Sequence, residues 1–181
     1  MAGASLAAVP AFKTGPPPGH TGGFGEPTCQ ACHSDAGLNE PGGELAITGA
    51  PAGYEPGRTY GLEVVLRRAR MLRAGFQLSA RFADGGGGSA AAGTPAGVLA
   101  PGDGRSVVIW DTLSHVSYIE HNSAGTALLG DAGRWKVSWT APGRARGVVI
   151  FNAAGNAAND DDSPLGDFIY TTALRVAPTP H

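Results

Sequence analysis

Charge is scarce in this 181-residue chain: Asp, Glu, Lys and Arg together make up 15%, against about 25% in an average soluble protein. The 13 Lys and Arg are outnumbered by 15 Asp and Glu, for a net charge of -2. A nucleic-acid binder would carry a basic stripe or a strong basic excess, and neither is present. The densest basic stretch, Arg67, Arg68, Arg70 and Arg73, reads as a solvated turn. No apolar run reaches the roughly 18 residues that a membrane-spanning helix needs. Cysteine is limited to 2 residues, too few for a disulfide framework. The usual helix fillers Lys, Glu and Leu are sparse, which disfavours long helices.

What the chain has is 29 glycines and 14 prolines, with hydrophobic residues at 42%. That is enough apolar material for one core, divided among short strands by frequent turns. Alternation appears after about residue 43. Phe76, Leu78, Ala80 and Phe82 fall on one face, with Gln77, Ser79 and Arg81 on the other. Trp135, Val137 and Trp139 share a face opposite Lys136 and Ser138. Further strands are expected at Glu44–Thr48, Thr59–Leu66, Ser106–Asp111, Val116–His121, Gly147–Ala153 and Asp167–Val176. Pro56-Gly57, Asp84 to Gly88, Pro101 to Gly104, Gly130-Asp131 and Pro142-Gly143 supply the turns. About eight short strands at this spacing predict an all-β, two-sheet sandwich with Greek-key-like connections. Ala83 to Gly97 reads as a low-complexity Gly/Ala loop.

The first 43 residues are different, rich in Pro16-Pro17-Pro18, Gly22-Gly23 and Pro41-Gly42-Gly43. Residues 1–11 are small and weakly apolar, and end in Val9-Pro10-Ala11. They read as the remnant of an export signal, with a loose tail as the alternative. The expected organisation is therefore a signal remnant at 1–11, a loop-rich arm at 12–43, a β-sandwich at 44–176 and a flexible tail at 177–181.

Both cysteines fall in Cys29-Gln30-Ala31-Cys32-His33, the C-x-x-C-H spacing of covalent c-type haem. In that pattern two thiols bond one edge of the porphyrin, and the following histidine offers its nitrogen to the iron. The expected cofactor is one haem c, held by Cys29 and Cys32 with His33 as proximal ligand. Covalent haem attachment takes place outside the cytoplasm, which places the protein in the periplasm, outside the cell or on its surface. Three other readings stay open. A redox dithiol would need a βαβ context. Structural zinc would need four ligands. A disulfide across two residues would staple almost nothing.

A low-spin haem takes a second ligand, usually His or Met. The candidates are His20, His115, His121, His181, Met71 and Met1. His115 and His121 would share a strand face about 20 Å apart, so only one can serve. His121, at a strand end, is favoured, with His20 and Met71 as alternatives. The acidic run Asn159 to Ser163, followed by Asp167, carries the oxygen donors of a calcium site but not the spacing of an EF-hand loop. Its plainer reading is a turn closed by its own Asx side chains.

Several stretches together resemble a bacterial extracytoplasmic family. They are Thr21 to Pro27 ahead of Cys29, Gly75-Phe76-Gln77-Leu78, Tyr118-Ile119-Glu120-His121, Trp139-Thr140-Ala141-Pro142, and Ala154 to Asn159 through Gly166 to Thr171. Over roughly residues 20 to 172 they look like the choice-of-anchor V proteins, Reelin-domain-like sandwiches preceded by a C-x-x-C-H segment. The resemblance implies a Reeler-like sandwich and export, and implies little about chemistry.

Three functional expectations follow. The first is an exported monohaem cytochrome that passes single electrons to a redox partner or membrane complex and is not an enzyme. The second is a non-enzymatic adhesion or binding module, with calcium as a candidate ion and C-x-x-C-H as a structural site. The third is a zinc- or haem-dependent enzyme.

Overall fold

The computed structural model describes residues 12–83 and 91–180. The expected signal remnant, residues 84–90 of the Gly/Ala loop, Met1 and His181 lie outside the described residues.

Among the described residues, ten strands build two sheets. They are β1 (Gly43–Thr48), β2 (Gly53–Tyr54), β3 (Thr59–Arg68), β4 (Arg73–Phe82) and β5 (Val98–Pro101), then β6 (Ser106–Asp111), β7 (Val116–His121), β8 (Ala132–Thr140), β9 (Val149–Ala158) and β10 (Phe168–Pro178). One sheet has the order β1-β3-β8-β5 and the other β2-β10-β9-β4-β7-β6. The protein is an all-β, two-sheet sandwich. Every strand pair is antiparallel except β2 with β10.

The period-2 residues meet between the sheets, because alternation leaves each strand one apolar face to remove from water. Phe76 of β4 stacks on Trp135 of β8 with centroids 4.5 Å apart. Trp139 meets Phe151 of β9 edge-on at 4.9 Å. Each buried indole also needs a partner for its N–H. Trp135 donates to the Gly125 carbonyl at 3.0 Å and Trp139 to the Ala96 carbonyl at 2.9 Å.

Two short strands, β2 and β5, escape the sequence reading, because two and four residues show no resolvable period. The expected tail is a second correction. Ala177 and Pro178 belong to β10, where they pair with Gly53 and Tyr54. The arginine stretch is a third, since it is not one solvated turn. Arg67 and Arg68 end β3 and Arg73 starts β4. The Arg68 guanidinium lies 3.2 Å from the Phe168 ring centroid and donates to the Tyr170 hydroxyl.

The outer face of β4 carries Gly75, Gln77, Ser79 and Arg81, yet every residue from Ala74 to Phe82 is buried. Residues 12–42 cover that face. Arg81, only 4% exposed, reaches Glu26 of the arm at 2.6 Å. It also donates to Ser79 Oγ and Thr21 Oγ1, and the Phe24 ring lies 4.7 Å from it. Glu26 accepts two further bonds, from the Thr21 and Tyr118 hydroxyls, each at 2.5 Å. Burial pulls the Glu26 carboxyl upward, but the bonds from Arg81, Thr21 and Tyr118 outweigh it and hold the group below its ordinary value. Gln77 fixes the arm a second time. Its Oε1 accepts from the His20 N–H at 2.7 Å, and its Nε2 donates to the Pro17 carbonyl at 3.0 Å and to Glu120 at 2.9 Å. At Gly15, with φ at +124°, a Cβ would lie 2.1 Å from Glu120 Oε1, so the arm can pass here only as glycine.

Two outcomes are expected. Arg81→Met leaves Glu26 charged and half-buried without its cation, and should cost about 3 kcal/mol in urea unfolding. Glu120 is pushed up to about 7 by burial, against a smaller lowering from Gln77. Its folded form therefore holds a proton that the unfolded chain releases, so stability should fall as pH rises from about 4.5 to about 7. Urea midpoints across that window should show the decline, and Glu120→Gln should flatten it.

Candidate functional site

The arm folds the C-x-x-C-H segment into a single tight turn. Residues Cys29–Ala31 form a 3-10 turn whose N-cap is Thr28, its Oγ1 accepting the Gln30 N–H at 3.1 Å. The N–H groups of Cys32 and His33 both return to the Cys29 carbonyl, at 3.2 and 3.0 Å. Positions i, i+3 and i+4 of such a turn lie on one side, so both sulfurs and the imidazole share a surface. The two thiols are not bridged.

That surface is one wall of a cavity of about 320 Å³ between the arm and the ends of the inner strands β4, β7 and β9 of the six-stranded sheet. Cys29, Cys32, His33, His20 and His121 all line it, with Phe12, Pro16, Pro17, Ala74 and Phe76 as apolar walls. Asp160, Asp161 and Asp162 contribute to its lining from the β9–β10 connection. Residues as far apart in the chain as Phe12 and Asp162 thus share one concavity.

The Cys29 residue is partly covered, but its thiol is turned inward, and burial pushes it up to about 12. A redox dithiol works through a stabilised thiolate, so this environment opposes the thioredoxin-like reading. Zinc fares no better. Among the described residues, no three His, Cys, Asp or Glu side chains gather as a metal cage.

His33 is held from one side. Its Nδ1 lies 2.7 Å from Asp167 Oδ2, and Asp167 is 2% exposed. A carboxylate only accepts, so in the neutral ring Nδ1 carries the hydrogen and Nε2 keeps a lone pair. Asn156 Nδ2 sits 3.3 Å from Nδ1 and 3.4 Å from Nε2. Being nearly equidistant from both, it lies on neither lone-pair axis, and Nε2 stays available. Asn156 instead donates to Asp167 at 3.0 Å. Its own Oδ1 is buried without a partner.

His121 lies where β7 parts from β4. Register pairing between these strands covers Gln77 with Glu120 and Leu78 with Ile119 only. The next rung is replaced by the imidazole, whose Nδ1 is 3.1 Å from the Phe76 N–H and 3.2 Å from the Phe76 carbonyl. Either tautomer is therefore satisfied at Nδ1. Nε2 faces the Phe12 carbonyl at 3.1 Å. Burial, opposed in part by the Phe76 and Phe12 bonds, lowers the His121 pKa and keeps the ring neutral at pH 7. Gly75 makes this seat. A Cβ there would stand 2.7 Å from His121 Cε1.

His20 also reaches the cavity. Its Nδ1 is 3.0 and 3.1 Å from the carbonyls of Pro17 and Pro18. Met71 does not reach it. The thioether is 6% exposed within the hydrophobic core, so the alternative of Met71 as distal ligand is corrected. His115 is corrected too. It occupies the β6–β7 turn at φ +57° beside Trp110, not a strand face shared with His121.

The acidic run is spent on itself and on cations of the protein. Asn159 Oδ1 accepts the Asp161 N–H at 3.2 Å, and Asp161 Oδ1 accepts the Ser163 N–H at 2.9 Å. Asp160 pairs with Arg73 at 3.0 Å and Asp162 with Lys13 at 2.5 Å. Asp167, grouped with these residues in the sequence, keeps the Asn159 N–H on Oδ1 and turns Oδ2 to His33. No sequence signal separates it from its acidic neighbours. Asn156 and the Glu26–Arg81 pair are likewise invisible before folding.

No family model and no curated protein matches the chain. Among solved structures, it is similar to the Reelin-N domain of F-spondin, with TM-score 0.51 and 18% identity over 83% of this chain and 97% of that one. It is also similar to a human F-spondin reeler domain, at TM-score 0.47 and 19% identity over 81% and 98%. A cohesin module from Clostridium perfringens ATCC13124 family 33 glycoside hydrolase gives TM-score 0.47 and 9% identity over 77% and 98%. The first of these likenesses supports the Reeler-like sandwich, and at these identities it speaks for fold alone. No described helix is long and apolar enough to cross a membrane.

One measurement checks the buried thiol. A shift from 9.0 to about 12 lowers the thiolate fraction of Cys29 roughly a thousandfold at pH 8. Alkylation of Cys29 by iodoacetamide in the folded, haem-free chain should be slower than in the unfolded chain by a comparable factor, read by peptide mass spectrometry.

Proposed function

We propose that this protein is an exported, monohaem c-type electron carrier built on a Reeler-like sandwich. One observation carries the reading. His33 has its Nδ1–H fixed by Asp167 and its Nε2 free, in a cavity that also holds both free thiols and two further histidines. A metal-binding histidine commonly shows this arrangement, with the second nitrogen hydrogen-bonded to a carboxylate.

The residues fit the group. Cys29 and Cys32 would hold the porphyrin as thioethers, His33 would be the proximal ligand through Nε2, and His121 the favoured distal one. His121 would bind through Nε2 once the Phe12 carbonyl, which faces that nitrogen at 3.1 Å, gives way and Nδ1–H donates to the Phe76 carbonyl instead of accepting the Phe76 N–H. His20 is the alternative. A haem supplies reversible one-electron chemistry at iron. The chain supplies the rest: a turn that presents three anchors, apolar walls that exclude water, and an arm pinned by Glu26 and Arg81. No bond-making chemistry is asked of it, so the protein is read as a carrier and not an enzyme. Covalent attachment requires export, which places it in the periplasm or outside the cell, with a redox protein or membrane complex as partner.

A second reading is a non-enzymatic binding module. The Reeler-like fold favours it, as does the edge strand β6, where Val107, Val108 and Trp110 are exposed and Leu113 follows at 91% exposure. An open strand edge of this kind is a template for a protein partner. In this reading the turn at Cys29–His33 is structural.

One experiment separates them. The chain is produced with an export signal in a host that attaches c-type haem, and pyridine haemochrome and reduced-minus-oxidised spectra are recorded. One covalent haem per chain is expected, lost in the Cys29→Ser/Cys32→Ser double variant. No haem would shift the assignment to the binding module. His121→Ala should keep covalent haem but convert a low-spin ferric spectrum to high-spin. An unchanged spectrum would move the distal role to His20.

A further inference from the structure

We infer that Asp167 is the positioning residue that fixes the iron-facing nitrogen of His33 and sets the potential of the site; this rests on the haem reading above. Three observations carry it. The Asp167 side chain is 2% exposed, and its Oδ2 lies 2.7 Å from His33 Nδ1. The carboxylate is itself held from two other directions. Its Oδ1 accepts the Asn159 N–H at 3.1 Å, and its Oδ2 accepts from Asn156 Nδ2 at 3.0 Å. Asn156 is the register partner of Gly75, the glycine beneath His121. The support for one histidine and the seat of the other therefore stand on one rung of the β4–β9 ladder.

The physical consequence has two parts. A buried carboxylate forces the Nδ1–H tautomer, since it has no hydrogen to donate. It also draws that hydrogen toward itself, which makes the imidazole a stronger electron donor at Nε2. Stronger donation favours the more positive iron, so the carboxylate lowers the reduction potential. The general rule that outer partners tune a ligand is thus given a named residue here. Asp167 acts through His33 and touches no reacting atom.

Asp167→Asn is the discriminating change. Its carbonyl can still accept the Asn159 N–H, so the loop keeps that support. In that orientation its amide presents a donor where Oδ2 stood, which breaks the bond from Asn156 Nδ2 and requires His33 Nδ1 to accept. Imidazole nitrogen shifts of His33 are recorded on the full, haem-free chain by proton–nitrogen NMR. The wild type should show hydrogen on Nδ1, and Asp167→Asn should move it to Nε2. A wild-type Nε2–H tautomer overturns the proposal without need of any variant, even if the variant unfolds. In the haem-loaded protein, potentiometry should give a higher midpoint potential for Asp167→Asn, and Asp167→Glu should return it toward wild type. A tautomer that changes while the potential does not would overturn the tuning role and leave Asp167 as a scaffold. Failure of the wild type to take up haem would instead refute the cytochrome reading, while the tautomer result would still stand or fall alone.

Discussion

The site depends on a buried ion pair that is not part of it. Arg81 projects from the outer face of β4, where an exposed sheet would meet water, and Glu26 projects from an arm with almost no regular structure. Burying either charge singly would cost a few kcal/mol, because its desolvation would go uncompensated. Together, with the hydroxyls of Thr21 and Tyr118 completing the carboxylate's bonds, they are satisfied only in one arm position. The arm has few apolar residues to hold it by burial. Its location is set by hydrogen-bond geometry, which is directional.

From that fixed position the remaining features follow. Gln77 clamps Pro17 and the His20 N–H, which sets the near wall of the cavity. The segment then crosses β9 and β10, where Asn39 bonds the Thr171 N–H at 2.8 Å and its own N–H meets the Ile169 carbonyl at 2.9 Å. The Cys29–His33 turn is caught between these two attachments and laid against Asn156 and Asp167. The sandwich thus works as a rigid floor. A cavity of this kind is formed by a strap across a sheet, not by a cleft within the core.

Much of the sandwich was legible from alternation alone. β6 and β7 were located to the residue, β1, β3 and β10 differed by one or two residues at their ends, and β9, expected at Gly147–Ala153, runs from Val149 to Ala158, because ladder pairing continues past the apolar pattern. Trp135, Val137 and Trp139 were assigned to one inward face, and they are there. β2 and β5 were not legible, since they exist only through pairing with β10 and β8. The outer face of β4 was read only as the opposite side of a strand. Its burial under an arm has no signature in a local window, because the covering residues lie some fifty positions upstream.

For the site, local chemistry and long-range placement divide cleanly. The spacing of Cys29, Cys32 and His33 determined by itself that two thiols and an imidazole would share one side of a turn, since three and four residues make one turn of any tight helix. It also marked His121 and His20 as the histidines worth following. Only the tertiary structure decided that both reach the same cavity, that Met71 is spent in the core, and that His115 is a turn residue. It alone drew Asp167 away from its acidic neighbours to His33. Those outcomes depend on strand order and register, which bring residues 75, 121 and 156 onto adjoining strands. Such contacts cost loop closure rather than local propensity, and nothing in a short stretch of sequence records them.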